Sequence, residues 1–156
     1  MPAGALLGAD VPFFIQAKPA RARGIGDQLQ TLPRLPKLSL VILYPKFAVS
    51  TAWVYRNLRF KLTKPTVKIS IVSLLGNINR IIELLVNDLE AVTIARHPKI
   101  GTLKKKLIQA GALGALMSGS GSSVFGIFTS HQQARHAFNR LRREKMLGVF
   151  LVRTLS

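Results

Sequence analysis

Residues 117–128 read Met117-Ser118-Gly119-Ser120-Gly121-Ser122-Ser123-Val124-Phe125-Gly126-Ile127-Phe128. Glycine lets a loop adopt φ > 0 and bring its backbone N–H groups close to a partner. Successive N–H groups in such a turn can form a concave anion site. The β-branched and aromatic residues behind the turn read as a buried strand over residues 123–128, and residues 113–117 as a strand leading into it. No Gly-Lys-Ser/Thr closes the stretch, so it is not a Walker A loop. Taken alone, it is a tight turn between two core strands.

On its C-terminal side, Ser130 caps a helix over residues 131–145 with Ala134, Phe138 and Leu141 on one face, and residues 148–152 form a last strand. On its N-terminal side, Pro98 starts and Gly111 terminates a helix over residues 97–110. Apolar residues at helical spacing (Ile71, Leu74, Ile78, Ile81, Ile82, Leu85, Leu89) predict one long helix over residues 69–95, or two broken near Gly76-Asn77. Within it, Asn87-Asp88-Leu89-Glu90 reads as a local cap or as a polar face turned toward a cleft. Residues 57–68 are basic, contain Pro65 and read as a mobile loop. Ser50 or Thr51 is a natural N-cap for a short helix in Val49-Ser50-Thr51-Ala52-Trp53-Val54-Tyr55, where Trp53 and Tyr55 are expected to pack. Residues 38–44 are an apolar strand stopped by Pro45.

Residues 17–32 predict a hairpin turning at Gly24 and Gly26, followed by a linker at Pro33 and Pro36. Further back, Gly8 ends a helix and Pro12 is expected to forbid its continuation. Asp10 then falls at a helix-to-strand junction, either as an exposed cap or as a base at the edge of a cleft. From residue 38 the order is β, several α, β, β, α, β. That order favours an α+β fold with helices on one face of an antiparallel sheet. There is no internal repeat.

The chain has 156 residues, 48% of them hydrophobic, enough for one real core. The absence of cysteine excludes disulfides, thiol nucleophiles and thiolate metal sites. Three histidines and six scattered carboxylates argue against a protein metal cage. The net charge of +17 creates a field that attracts anions. Its densest runs, Lys104-Lys105-Lys106 and Arg140-Leu141-Arg142-Arg143, read as solvated helix faces without the interleaved aromatics of a nucleic-acid platform. Mean hydropathy is +0.27. Residues 107–130 carry no formal charge, but Gln109 and the serine-glycine cluster at their centre argue against a membrane span. No signal peptide is evident, and a cytoplasmic location is expected.

Gly8-Ala9-Asp10-Val11-Pro12-Phe13-Phe14, the stretch from Val49 to Tyr55, Asn87-Asp88-Leu89-Glu90 and the stretch from Ser118 to Ser122 occur in that order. Together they resemble the GHMP small-molecule kinases, and among these the branch acting on 4-diphosphocytidyl-2-C-methyl-D-erythritol. The resemblance covers nearly the whole chain and is weakest in residues 57–80. It implies a ferredoxin-like C-terminal domain over residues 37–156 and a remnant of the N-terminal domain in residues 1–36.

The same resemblance implies phosphorylation of the substrate's 2-hydroxyl with ATP and Mg²⁺, in non-mevalonate isoprenoid biosynthesis. Asp10 matches the aspartate that orients the attacking hydroxyl and accepts its proton. Thr51 and Tyr55 match positions lining the cytidine pocket, where an aromatic ring stacks on the base. Gly24, Ile25 and Gly26 match a turn bordering the same substrate. Ser118, Gly119, Ser120, Gly121 and Ser122 match the glycine motif that shapes the floor of the active site. The family's catalytic lysine and ATP phosphate loop have no match in these residues. The chain is therefore expected to be inactive alone, to need an N-terminal half as partner, and to expose Phe13, Phe14 and Ile15. The alternative is a non-catalytic basic domain that binds nucleic acid, which would account for the charge but not for the motifs.

Overall fold

The computed structural model describes residues 11–24, 28–32, 36–58 and 77–154. Its organising strand is β3 (Ser39–Tyr44), whose side chains alternate in burial, with Ser39, Val41 and Leu43 inward and Leu40, Ile42 and Tyr44 outward. Successive strand residues point to opposite faces, so this pattern marks one well-covered face. β3 pairs antiparallel with β5 (Val124–Phe128) on one side and β6 (Gly148–Arg153) on the other. β4 (Gly114–Met117) adds outside β5, giving the order β4-β5-β3-β6.

The covered face meets two helices. α5 (Pro98–Gln109) buries Ile100, Leu103 and Leu107, and α6 (His131–Leu141) buries Ala134, Ala137 and Leu141. These join Val41, Leu43, Met117, Val124 and Phe128 in one apolar cluster. α5 lies so close to the sheet that a Cβ at Gly126 would stand 3.0–3.2 Å from Ala112 and Leu107. The crossover between β3 and β4 runs through α2 (Thr51–Asn57), α3 (Ile78–Glu83), α4 (Leu89–Arg96) and α5. This is the expected α+β, ferredoxin-like arrangement. The opposite face is covered at β4, where Ile82 of α3 and Leu85 press on Gly114.

Several boundaries differ from expectation. The segment after Asp10 is a helix, α1 (Val11–Gln16), not a strand. Pro12, expected to forbid a helix, stands within it, its ring fixing φ near the helical value. Within residues 77–95 the helical pattern breaks at residues 84–88, beyond Gly76-Asn77. A helix also starts at the break expected near Gly76-Asn77: Asn77, in extended backbone, caps α3, its Oδ1 accepting from the N–H groups of Asn79 and Arg80 at 3.1 and 3.3 Å. α6 ends at Leu141, four residues early, and Glu144 then reaches Lys106 at 2.5 Å. The basic loop expected over residues 57–68 lies, from residue 59, outside the described residues.

Before the sheet, β1 (Ala20–Arg23) and β2 (Gln28–Thr31) form the expected antiparallel hairpin. Gln16 Nε2 donates to Thr31 Oγ1 at 2.7 Å, tying α1 to it. Phe13 and Phe14 with Leu38, Ile81, Leu84 and Leu85 surround an apolar cavity of about 540 Å³. As expected, Phe13, Phe14 and Ile15 are exposed, Phe14 and Ile15 by more than 70%. Among the described residues no helix is long and apolar enough to cross a membrane.

Candidate active-site loop

The turn between β4 and β5 is held in shape by its own backbone and by α4. Ser118 N–H donates to Ser123 O at 2.9 Å, and Gly121 N–H to Ser118 O at 3.0 Å. Gly119 (φ +55°) and Gly121 (φ +94°) supply the left-handed backbone that such a reversal needs. Gly121 is confined as well: a Cβ there would lie 2.9 Å from Met117 Sδ and 3.4 Å from both Ile100 Cδ1 and Thr93 Cγ2. Around Gly119 there is open space.

Three side chains, at positions 87, 90 and 93, then engage the loop's backbone. Asn87 Nδ2 donates to Met117 O at 2.9 Å and to Gly119 O at 2.8 Å, while its Oδ1 accepts from Leu89 N–H at the start of α4. Glu90 Oε1 accepts from Met117 N–H at 2.7 Å, and its Oε2 is held by Lys104 at 2.5 Å. Thr93, fully buried, donates to Ser120 O at 3.2 Å. A spacing of three places such residues along one side of a helix. The Asn87-Asp88-Leu89-Glu90 motif is thus both cap and polar face, because Asn87 serves α4 and the loop at once. Sequence reading did not single out Thr93. Its position three residues after Glu90, in an otherwise apolar pattern, is the signal that could have found it. From the other side, buried Ser122 donates through Oγ to Phe47 O at 2.5 Å.

α2 brings the second motif to this loop. Ser50 caps it, its Oγ accepting from Trp53 N–H at 3.3 Å. One residue on, Thr51 Oγ1 and Ser120 Oγ share a hydrogen bond of 2.8 Å across 69 residues of sequence. Tyr55, one turn further along α2, is 56% exposed rather than packed, so its ring is available to a flat partner. Trp53, by contrast, is half-buried beneath Arg96. Gly24 closes β1 with φ +66°, and no hydrogen bond among the described residues joins it to the loop. Asp10, Ile25 and Gly26 lie outside the described residues.

Chemically, the loop offers donors to an anion. The N–H groups of Gly119 and Ser120 have no acceptor among the described residues, and Ser118 and Gly119 are exposed. Among the described residues no three His, Asp or Glu side chains converge as metal ligands would.

Residues 71–146 match the family described as GHMP kinases C terminal. The 4-diphosphocytidyl-2-C-methyl-D-erythritol kinases of Citrifermentans bemidjiense and Geotalea daltonii are 49% and 52% identical over 155 residues, 99% of this chain and 55% and 54% of their own length. That of Syntrophotalea carbinolica is 47% identical over 156 residues, 100% of this chain and 55% of its own. A crystal structure of 4-(cytidine 5'-diphospho)-2C-methyl-D-erythritol kinase is similar with a TM-score of 0.77 and 31% identity, covering 97% of this chain and 56% of that one. The chain thus spans about half the length of the curated relatives it matches. Sharing about half its residues with such kinases from end to end, and their fold with them, the chain belongs to the GHMP kinase family and carries that family's C-terminal domain.

Proposed function

We propose that these residues supply the C-terminal part of a kinase that transfers the γ-phosphoryl group of ATP to the 2-hydroxyl of 4-diphosphocytidyl-2-C-methyl-D-erythritol, in isoprenoid biosynthesis. The observation that carries this reading is the Thr51–Ser120 hydrogen bond, which joins two motifs 69 residues apart at the edge of an anion-accepting loop. In this reading exposed Tyr55 stacks on the cytosine ring. Thr51 fixes the side of the pocket that borders the loop, and the N–H groups of Gly119 and Ser120, which have no acceptor among the described residues, face phosphoryl oxygen. Asp10 orients the 2-hydroxyl and takes its proton as the new O–P bond forms. Gly24, Ile25 and Gly26 border the same substrate. The loop's donors fit a phosphate-bearing cofactor such as ATP. Mg²⁺ would neutralise phosphate charge, but the described residues present no ligand set for it.

Catalysis of phosphoryl transfer consists mostly of positioning and charge stabilisation. The chain alone is therefore expected to be silent, and to gain activity when the N-terminal half of a relative is supplied in trans. The assay is formation of the phosphorylated product from the diphosphocytidyl substrate, ATP and Mg²⁺. Turnover on complementation that is lost in Asp10→Asn supports the reading. A folded chain that stays inactive with every N-terminal half, and binds RNA with steep salt dependence, would instead support the basic-domain alternative that the +17 charge favours.

A further inference from the structure

The single tryptophan stands in a second cleft. Ala48, Val49, Ser50, Trp53, Arg56, Arg96 and His97 line a cavity of about 390 Å³ between α2 and the α4–α5 junction. Trp53 is two positions from both Thr51 and Tyr55, so at 3.6 residues per turn it projects from the far side of α2. The helix therefore separates this cleft from the glycine-serine loop.

Its chemistry is cationic. The Arg96 guanidinium lies 4.4 Å from the centroid of the Trp53 ring. Stacking uses the face of a guanidinium and leaves the N–H groups at its edge free to donate. Arg56 lines the same cavity about one turn past Trp53. His97 is steadied by the Phe47 ring, 5.1 Å away between centroids. The ion pairs among the described residues are Arg80–Glu83, Lys104–Glu90 and Lys106–Glu144. Neither Arg56 nor Arg96 has a carboxylate partner among those residues. Both residues line one concavity, and guanidinium donors match the geometry of phosphate oxygens.

We propose that this cleft binds a phosphoryl-bearing small molecule, with Arg56 and Arg96 as the side chains that hold its oxygens. The cleft is short, and its one large aromatic is already covered by Arg96. A nucleic-acid strand would call for an extended basic track with open stacking platforms. The inference does not depend on the kinase reading, since neither arginine takes part in it.

Trp53 makes the test direct, because it is the only tryptophan in the chain. Inorganic pyrophosphate would be titrated into the 156-residue chain at constant ionic strength, following tryptophan emission and heat of binding. A saturable change with one site per chain is expected. Arg96→Gln and Arg56→Gln should each weaken binding by roughly tenfold or more, the loss of a charge-assisted hydrogen bond. Thermal unfolding of both variants checks that they remain folded, and exposed Arg56 provides the safer substitution should Arg96→Gln disturb packing on Trp53. Absence of a saturable signal would overturn the proposal. So would affinity unchanged in both variants, which would place pyrophosphate elsewhere, for example on the loop. An RNA oligonucleotide whose affinity grows with length and displaces pyrophosphate would likewise replace it.

Discussion

Adding one methyl group at Gly121 should cost far more than adding the same methyl at Gly119. Both glycines have positive φ, so each alanine variant incurs the left-handed penalty of roughly 1–2 kcal/mol. About 0.4–1 kcal/mol of that is offset by the reduced entropy of the unfolded chain. At Gly119 nothing lies within 4 Å of the new Cβ, so the net loss should be about 1 kcal/mol or less. At Gly121 the methyl meets Met117 Sδ at 2.9 Å, with Ile100 and Thr93 closing the other directions at 3.4 Å. Met117 is 1% exposed and has little room to withdraw, and overpacking of this kind costs roughly 1–3 kcal/mol. Gly121→Ala should therefore be less stable by about 2–4 kcal/mol in all. In a chain of this size that lowers the melting temperature by roughly 5–15 °C. Urea unfolding of the two variants beside the parent, with unchanged m-values, measures the difference. Equal losses at the two positions would show that Met117 yields freely and that the packing beneath the loop is not what fixes it.

The brace on the other side of the loop can be dissected in the same way. Asn87→Asp keeps the oxygen that caps α4 but removes both donors to the loop and sets a carboxylate against two carbonyls. It should cost about 2–4 kcal/mol, more than Asn87→Ala, and a loss seen in Asn87→Ala but not in Asn87→Asp would mean that the cap alone matters. Glu90→Gln can still accept from Met117 N–H but leaves half-buried Lys104 without its counter-charge. A loss of about 1–2 kcal/mol in urea unfolding is expected, most of it absent from a Glu90→Gln/Lys104→Met double variant. His131, at the start of α6, has a buried Nδ1 with no hydrogen-bond partner among the described residues. Burial, then the charges of Arg153 and Arg135, hold its pKa below the ordinary 6.5. The folded state thus prefers neutral imidazole. This contribution is complete above about pH 6.5 and is lost as the pH falls from there through the lower folded-state value. Stability measured from pH 7.5 to 5 should fall more steeply for the parent than for His131→Asn, and parallel curves would contradict the assignment.

Much of the sheet was legible because its signals are local. The apolar run of residues 38–44 stopped by Pro45, the apolar run after the serines and the Pro98 and Gly111 boundaries of α5 each act within a few residues. The misreadings occurred where a local rule had two outcomes. Pro12 can end a helix, yet its ring fixes φ near the helical value, and the sequence alone does not choose between them. Asn87 could have continued the helical pattern on spacing alone. What ends the helix at residues 84–88 is the set of loop carbonyls waiting for its amide, and these arrive from 30 residues away.

The same distinction separates the parts of the site. Glycines at 119 and 121 announce a reversal, and Ser50 announces a helix start, because backbone geometry and capping are decided by immediate neighbours. Which helix start meets which reversal is decided by the sheet order. The crossover from β3 through α2 to α5 returns the chain to β4, at the edge of the sheet beside β5. Folding the intervening elements onto that edge sets Thr51 against Ser120 and Thr93 beneath Ser120 O. Thr93 shows the consequence most plainly. In sequence it is a polar interruption of an apolar helix face, a position that ordinarily argues against burial. In the fold it is wholly buried, because the carbonyl it must satisfy belongs to a loop 27 residues away. Replacing it with valine would keep the shape and leave Ser120 O without its donor, so the loop, more than α4, should respond. Faster hydrogen exchange confined to residues 118–122 is the expected signature. Loosening spread along α4 would mean that the hydroxyl serves the helix.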